Sequence, residues 1–371
     1  MEQKTELDVA TIKQEFNDKY AEARRLFNKR PNILVCGYTG SGKSSLVKAI
    51  LGDVVPASAI GDGAPCTMGY DCYENDLVKI WDSKGLELGE TEEGFTAQTR
   101  DFVRSQQESP NVDDHIHLVW YAIQAPGARV TDCDKELIKS IFNPKDVIVV
   151  LTKCDIARPN QKAALKAVIM EAGVPADRIV CASDMESGAE GCKELMNLSY
   201  AMLPDAYKDA FMEAQRIDKE AKIQAIRDKA AKAKSYITAA VTAAAAAGMV
   251  PIPLSDAVVI IPIQTGMIAS LAALYGLKDE VVNQSALPFV ARLAGVYAAG
   301  SLLKLVPGLG SAVNAAVAGA LTGAMGLYVK NNFEDVAIAK IEGRPAPQLA
   351  FDVELFKKFY EEYKKDKGGA R

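Results

Sequence analysis

The feature that most constrains this chain is residues 37–44, whose sequence GYTGSGKS fits the pattern G-x-x-x-x-G-K-[ST]. The apolar run at 32–36 (NILVC) predicts a buried strand before it, and residues 44–51 (SSLVKAIL) predict a helix after it. Glycines let successive backbone N–H groups turn toward a phosphate chain, and a helix N-terminus favours negative charge. We therefore expect a phosphate-binding loop, with Lys43 on the β- and γ-phosphates and the Ser44 hydroxyl on Mg²⁺. The residues expected to line the phosphates are Gly37, Tyr38, Thr39, Gly40, Ser41, Gly42, Lys43, Ser44 and Ser45.

A second motif follows a later predicted strand. Residues 78–82 (VKIWD) read as a strand that runs into Asp82-Ser83-Lys84-Gly85, a match to D-x-x-G. In this position a carboxylate holds Mg²⁺ through water, and the glycine N–H meets the γ-phosphate. The pattern predicts Asp82 as a metal ligand and Gly85 as a γ-phosphate contact.

A third motif indicates which base is bound. The apolar run VIVVL at 147–151 predicts a strand buried on both faces, and it ends in Thr152-Lys153-Cys154-Asp155, a match to [NT]-K-x-D. The Asp155 carboxylate can accept hydrogen bonds from guanine N1–H and the exocyclic amine, whereas adenine has no matching donor pair. The stem of Lys153 would pack along the base. A surface ion pair at a strand end is the alternative reading of Lys153 and Asp155.

The order of GYTGSGKS, Thr67, DSKG, TKCD and Val180-Cys181-Ala182-Ser183 resembles the motif series of the translation-factor-related GTPases, especially their Era-like and immunity-related branches. The resemblance covers residues 30–204 and implies GTP or GDP with Mg²⁺ as cofactors. It implies that Thr67 closes on Mg²⁺ and the γ-phosphate, with Thr39, Thr91 and Thr96 as alternatives. It also implies that Cys181 and Ala182 face the guanine. Catalysis would then depend on Lys43, Thr67 and Gly85.

Two departures from that family bear on the reaction. Lys84 stands where the family often has proline, and Leu86 stands where related enzymes place a glutamine that orients water. Leu86 cannot orient water, so this role falls to Glu87, Glu90 or a partner. We expect slow intrinsic hydrolysis, and a guanine-nucleotide module with little turnover is the alternative function.

Strand and helix patterns alternate over the first half of the chain. The predicted strands are 32–36, 68–74, 77–82, 116–123, 147–152 and 178–182, and the predicted helices are 43–51, 94–108, 132–142, 160–173 and 191–203. Such alternation predicts an α/β fold, with a mostly parallel sheet wrapped by helices. An all-α region should follow it. The predicted domains are an amphipathic helix at 1–29, a GTP-binding domain at 30–204, a charged connecting helix at 205–234, an apolar helical domain at 235–332 and a helical tail at 333–371.

The helical domain carries few charges. Asp256 is the only charged residue between 235 and 277. We predict two hairpins, with helices at 235–249 and 255–276 and then at 285–305 and 311–330. This half resembles a bacterial helical domain of unknown function that accompanies such GTPases. A closely packed bundle is the favoured reading because Ala and Gly dominate, and membrane contact or insertion is the alternative.

Composition restricts the partners. A net charge of −5 and a pI near 5.4 argue against nucleic acid as a partner. The seven cysteines form no C-x-x-C pair and read as reduced core residues, and the charged first residues predict no secretory signal. His115 and His117 form an H-x-H pair without further ligands. We expect a cytoplasmic protein, with association at the inner face of the cell membrane and homo-oligomerisation as open alternatives.

Overall fold

The computed structural model divides the chain into two compact units. Residues 28–221 form one unit, called the nucleotide unit because it contains the predicted phosphate loop, and the chain before residue 28 joins the chain from 222 onward in a helical unit. The described residues are 9–27, 29–52, 65–67, 69–85, 91–127, 129–142, 146–183, 190–248, 256–298, 315–349, 354, 358–361 and 363.

The nucleotide unit is built on one seven-stranded sheet. Its elements are β1 (Asn32–Cys36), α2 (Lys43–Leu51), β2 (Pro65–Thr67), β3 (Tyr70–Glu74), β4 (Lys79–Ser83), α3 (Glu92–Gln107), β5 (Leu118–Gln124), α4 (Asp132–Glu136), β6 (Val147–Thr152), α5 (Pro159–Glu171), β7 (Ile179–Cys181), α6 (Glu190–Met202) and α7 (Asp205–Ala214). The strand order is β2-β3-β4-β1-β5-β6-β7. β4, β1, β5, β6 and β7 are parallel, whereas β3 runs antiparallel to both β2 and β4.

The central strands are largely apolar, as expected for parallel strands that are covered on both faces of the sheet. Every residue of β1 and β6 is buried. In the register of the central strands, Leu34 lies opposite both Trp81 and Val119. The fully buried Trp120 donates its indole N–H to the Ser199 hydroxyl of α6 at 2.9 Å. Parallel strands bring the carboxyl ends of β1, β4, β6 and β7 to one end of the sheet, and the predicted motifs at 37–44, 82–85, 152–155 and 180–183 lie at these strand ends.

The predicted fold class is confirmed, and most predicted elements are present with shifts of a few residues at their ends. The strand β2 was not predicted, because three residues that begin with Pro65 carry no alternation pattern. The helix predicted at 132–142 is α-helical only as far as Glu136 and then continues as a π turn over Leu137–Ile141.

In the helical unit, seven α-helices have described bounds. They are α1 (Val9–Phe27), α8 (Lys219–Asp228), which crosses from the nucleotide unit, α9 (Ala230–Ala247), α10 (Asp256–Leu274), α11 (Asp279–Val281), α12 (Leu287–Ala298) and α13 (Ala315–Glu342). α1 packs on α10, burying Ile12 and Phe16, and the Tyr20 hydroxyl donates to the Leu277 carbonyl. α9 packs along α13. The predicted N-terminal helix is therefore part of the helical core.

The single connecting helix predicted at 205–234 is wrong. The segment forms α7, α8 and the start of α9, with a break after Ala214. The buried Gln215 side chain stabilises the break, since its Oε1 accepts the N–H groups of Ile217 and Asp218 at 2.7 and 3.0 Å. These bonds replace helical ones, so a segment without Gly or Pro still turns.

The second predicted hairpin differs in its bounds. α13 runs on to Glu342 instead of ending at 330, so the predicted boundary between 332 and 333 falls inside a helix. The predicted turns at 250–255 and 306–310 lie outside the described residues. Inside the unit, the buried Gln264 donates to the Thr322 hydroxyl at 3.0 Å. Among the described helices, none combines the length and apolarity that a bilayer crossing requires.

Candidate functional site

The predicted phosphate loop connects the end of β1 to the first turn of α2. Gly37 has φ of +142°, and a Cβ there would lie 2.3 Å from the Ala122 carbonyl oxygen of β5, so only glycine fits. The Ser41 N–H donates to the Tyr38 carbonyl at 3.1 Å and closes the loop. Thr39 and Gly40 are exposed at its outer edge. The loop therefore presents accessible backbone beside a helix N-terminus.

Lys43 is buried within this loop, with 7% of its surface exposed. Its Nζ donates to the carbonyls of Gly37 and Tyr38 at 3.1 and 3.2 Å. Burial lowers the pKa of Lys43, and the neighbouring Asp82 opposes that effect. A buried ammonium favours an anionic ligand, so the charge of this loop suits a phosphate chain.

Ser44 and Asp82 lie side by side, from α2 and β4. The Ser44 hydroxyl donates to Asp82 Oδ2 at 2.9 Å. Asp82 Oδ1 is buried and has no hydrogen-bond partner among the described residues. Burial is the main cause that raises the pKa of Asp82 to about 6, against the effects of Lys43 and Ser44. A hydroxyl and a carboxylate with an unsatisfied oxygen fit the oxygen ligands that Mg²⁺ requires.

The γ-phosphate side of the predicted site is described in part. Gly85 has φ of +81°, and a Cβ there would lie 2.5 Å from the Thr39 backbone nitrogen, so the D-x-x-G glycine packs against the phosphate loop. Thr67 ends β2 opposite Tyr70, and only its backbone is described. The segment 86–90, with Leu86 and both candidate glutamates, lies outside the described residues.

The predicted base-binding loop contacts the phosphate loop directly. The Thr152 hydroxyl donates to the Ser41 carbonyl at 2.8 Å, and Lys153 Nζ donates to the Gly40 carbonyl at 3.0 Å. Lys153 has φ of 55°, which is uncommon for a residue with a side chain. Asp155 is exposed. The stem of Lys153 thus crosses from the end of β6 to the phosphate loop, beside an accessible carboxylate.

The last predicted motif joins this loop through the backbone. The Cys154 N–H donates to the Ala182 carbonyl at 3.3 Å, and the Ala182 N–H donates to the Leu151 carbonyl at 2.8 Å. Cys181 lies opposite Leu151 in the β6–β7 register. The structure therefore brings together the loops after β1, β4, β6 and β7 at one sheet edge. Ser45 is exposed on α2.

One set of contacts at the site was not predicted. The Tyr38 hydroxyl lies 2.8 Å from Glu92 Oε1, at the start of α3, and 2.7 Å from the Thr131 hydroxyl, which caps α4. Thr131 and Asp134 form a capping box, and the Tyr121 hydroxyl donates to Asp134 Oδ1 at 2.6 Å. The capping pattern T-x-x-D at 131–134 was readable in the sequence. Its link to the phosphate loop was not, because the two segments are far apart along the chain.

The two histidines of the H-x-H pair have separate structural partners. His115 Nε2 lies 2.9 Å from the Ser109 carbonyl. His117 Nδ1 accepts the Asn32 N–H at 2.9 Å, and its ring centroid lies 3.8 Å from that of Tyr207. Burial is the largest cause that lowers the pKa of His117 to about 4.

We expect His117 to make stability depend on pH. Its folded pKa lies below the unfolded value of 6.5, so the unfolded chain takes up a proton first and stability falls as the pH drops from 6.5 toward 4. Between pH 7 and pH 5 the free energy of unfolding should fall by about 1–2 kcal/mol, a value reduced because His117 is partly exposed to solvent. Urea unfolding of the wild type and of His117→Gln at both pH values measures it. An equal pH dependence in the two proteins would contradict this assignment.

Comparisons with known proteins agree with the site. A family model described as 50S ribosome-binding GTPase matches residues 32–153. Septin CDC11 from Candida albicans is 24% identical over 167 residues, covering 38% of this chain and 41% of that protein. Magnetosome membrane protein 22 from Magnetospirillum gryphiswaldense is 36% identical over 112 residues, covering 28% and 55%. The chain thus spans about half the length of these curated relatives.

Solved structures show weaker similarity. Toc33 from Arabidopsis thaliana in complex with Mg²⁺ and GMPPNP has a TM-score of 0.32 at 16% identity, covering 57% of this chain and 96% of that one. A GDP-bound mutant of the S. thermophilus FeoB G-domain has a TM-score of 0.31 at 13% identity, covering 90% and 98%. The assignment rests on the family match and on the phosphate loop itself. This protein contains a P-loop GTPase domain, the class of enzyme domain that binds GTP with Mg²⁺ and hydrolyses it.

Proposed function

We propose that this protein is a GTP-hydrolysing switch whose nucleotide state controls the self-association or membrane contact of its helical unit. The observation that carries the nucleotide part is the grouping of the buried Lys43 ammonium with the Ser44–Asp82 pair at the ends of β1 and β4. One positive group and two oxygen ligands at a helix N-terminus match what GTP with Mg²⁺ requires.

The proposed roles follow this geometry. Residues 37–45 bind the phosphates, Ser44 and Asp82 hold Mg²⁺ with Thr67, and Gly85 meets the γ-phosphate. Thr152, Lys153, Asp155, Cys181 and Ala182 surround the guanine. In this proposal γ-phosphate contacts order the segments around Thr67 and Gly85, and hydrolysis releases them.

A second candidate is a guanine-nucleotide module with little turnover. The residue at position 86 favours it. Leu86 follows the D-x-x-G glycine and cannot orient water, and Glu92, the first residue of α3, has its Oε1 bonded to the Tyr38 hydroxyl. Single-turnover hydrolysis of GTP, with and without lipid vesicles, separates the two candidates. Hydrolysis no faster than that of GTP in buffer without protein would support the guanine-nucleotide module with little turnover.

The helical unit is the proposed output. Its α10 is apolar over most of its length, and the unit has Ala- and Gly-rich neighbouring helices. One relative is named a magnetosome membrane protein. These two observations support membrane contact, and we propose association with the inner face of the cell membrane. We also propose that the nucleotide unit is related to the Era-like and immunity-related GTPases, and the helical unit to the bacterial helical domain of unknown function.

We expect the full chain to co-sediment with liposomes more in a non-hydrolysable GTP analogue than in GDP, by roughly threefold or more. The physical reason is that opening of the helical unit would expose apolar surface that monomers rarely leave in water. Sedimentation with vesicles of anionic and neutral phospholipid measures it, and light scattering without vesicles measures self-association.

The matched control is Lys43→Ala, which should show the same low sedimentation in both nucleotides. Equal and negligible sedimentation of the unmodified chain in both states, with a monomer throughout, would contradict state-dependent opening. The helical unit would then be a packed bundle only.

A further inference from the structure

Two cysteines meet where the predicted guanine-binding loops join. Cys154 Sγ folds back onto the Leu151 carbonyl at 3.2 Å, and Leu151 is the β6 residue opposite Cys181 in β7. The Cys154 N–H donates to the carbonyl of Ala182, the residue after Cys181, at 3.3 Å, and both cysteine side chains pack on the same hydrophobic cluster. Both thiols are free. We propose that Cys154 and Cys181 form a reversible disulfide whose oxidation weakens guanine-nucleotide binding.

The two thiols differ in accessibility, which sets the order of the reaction. Cys181 is partly exposed, whereas only 3% of Cys154 is exposed. Burial, followed by the neighbouring Cys181, raises the pKa of Cys154 to about 12. Cys181 therefore meets an oxidant first, and Cys154 is the internal thiol that resolves the product.

The oxidant is a peroxide, and the steps balance. The Cys181 thiol loses its proton and the thiolate attacks one peroxide oxygen. The O–O bond breaks, sulfenic acid forms, and the departing hydroxide takes up that proton and leaves as water. Cys154 sulfur then attacks the Cys181 sulfur. The S–O bond breaks, the departing hydroxide takes the Cys154 proton, and a second water leaves. Two thiols lose two electrons, and hydrogen peroxide is reduced to two waters. A small-molecule dithiol reverses the oxidation by exchange.

The position of the pair explains why oxidation would affect the nucleotide; this step depends on the proposed guanine site. Cys154 lies between Lys153 and Asp155, the two residues proposed to hold the base. A disulfide holds its Cβ atoms about 3.5–4.5 Å apart in a narrow range of geometries. Lys153 already has an uncommon backbone conformation, and its Nζ reaches Gly40 of the phosphate loop. A disulfide that displaces residue 154 would therefore disturb the proposed contacts of Lys153 and Asp155 with the base, and the contact of Lys153 with the phosphate loop.

The experiment treats the full chain with hydrogen peroxide, alkylates free thiols and maps peptides without reduction. The dissociation rate of a fluorescent GDP analogue (mant-GDP) is measured before and after treatment. We expect a Cys154–Cys181 cross-link, dissociation at least tenfold faster, and recovery of both with dithiothreitol. Bound GTP should slow the cross-linking, because Cys181 is proposed to lie against the base.

Three variants serve as controls, each compared with its own reduced form. Cys154→Ser and Cys181→Ser should lose both the cross-link and the effect of peroxide on dissociation. Cys72→Ser on β3 should keep both. A missing cross-link, or a cross-linked protein with unchanged dissociation, would overturn the inference. A reduced protein that does not bind mant-GDP would instead contradict the proposed function, while the peptide map still decides whether the disulfide forms.

Discussion

Replacing Asp155 with asparagine should move base preference from guanine to xanthine. The carboxylate would accept two donors of guanine, and an amide would leave one of them unpaired while it can donate to the xanthine carbonyl. We expect at least a roughly hundredfold loss of GTP affinity and a gain for XTP. Asp155 is exposed, so the substitution should leave the fold intact. Competition binding with GTP, ATP and XTP measures the change.

Asp177→Asn provides the matched control, because it removes an exposed carboxylate outside the proposed base loop in the same unit. Its base preference should equal that of the unmodified chain. Tight ATP binding by the unmodified chain would refute guanine specificity. An Asp155→Asn variant that still prefers GTP would show that another group reads the base.

Replacing Lys43 with alanine should have the other large effect. The buried ammonium is the positive charge inside the phosphate loop, and its loss leaves the phosphates with backbone donors. We expect GTP affinity to fall by about 3 kcal/mol, which is roughly a hundredfold, and hydrolysis to become undetectable. Ser44→Ala should weaken the Mg²⁺ dependence of binding by removing a proposed ligand. Titration calorimetry at several Mg²⁺ concentrations measures both.

Lys48→Ala, in the same helix and one turn beyond the loop, is the control and should bind GTP normally. Thermal unfolding of all variants without nucleotide checks that the fold is retained. Full turnover by Lys43→Ala would show that this loop is not the active site.

Much of the nucleotide unit was predictable because its signals are local. β1 and β6 are buried throughout and are apolar except at Asn32 and Thr152, and the predicted bounds of both agree with the structure. The polar motifs after these strands could be placed at one sheet edge from the parallel topology alone. Thr67 stays a prediction, since its side chain is not described, and so do the roles assigned to Cys181 and Ala182.

Local sequence by itself determined the phosphate loop, the parallel strands and the helical character of the second half, because glycine spacing and apolar periodicity act over a few residues. Tertiary structure alone decided where helices end and which segments meet. Gln215 turns the chain by bonding to the N–H groups of Ile217 and Asp218, although its sequence context favours a helix. Tyr38 joins Glu92 and Thr131 across more than fifty residues. Such contacts depend on long-range packing, which overrides the weak preference of any short segment.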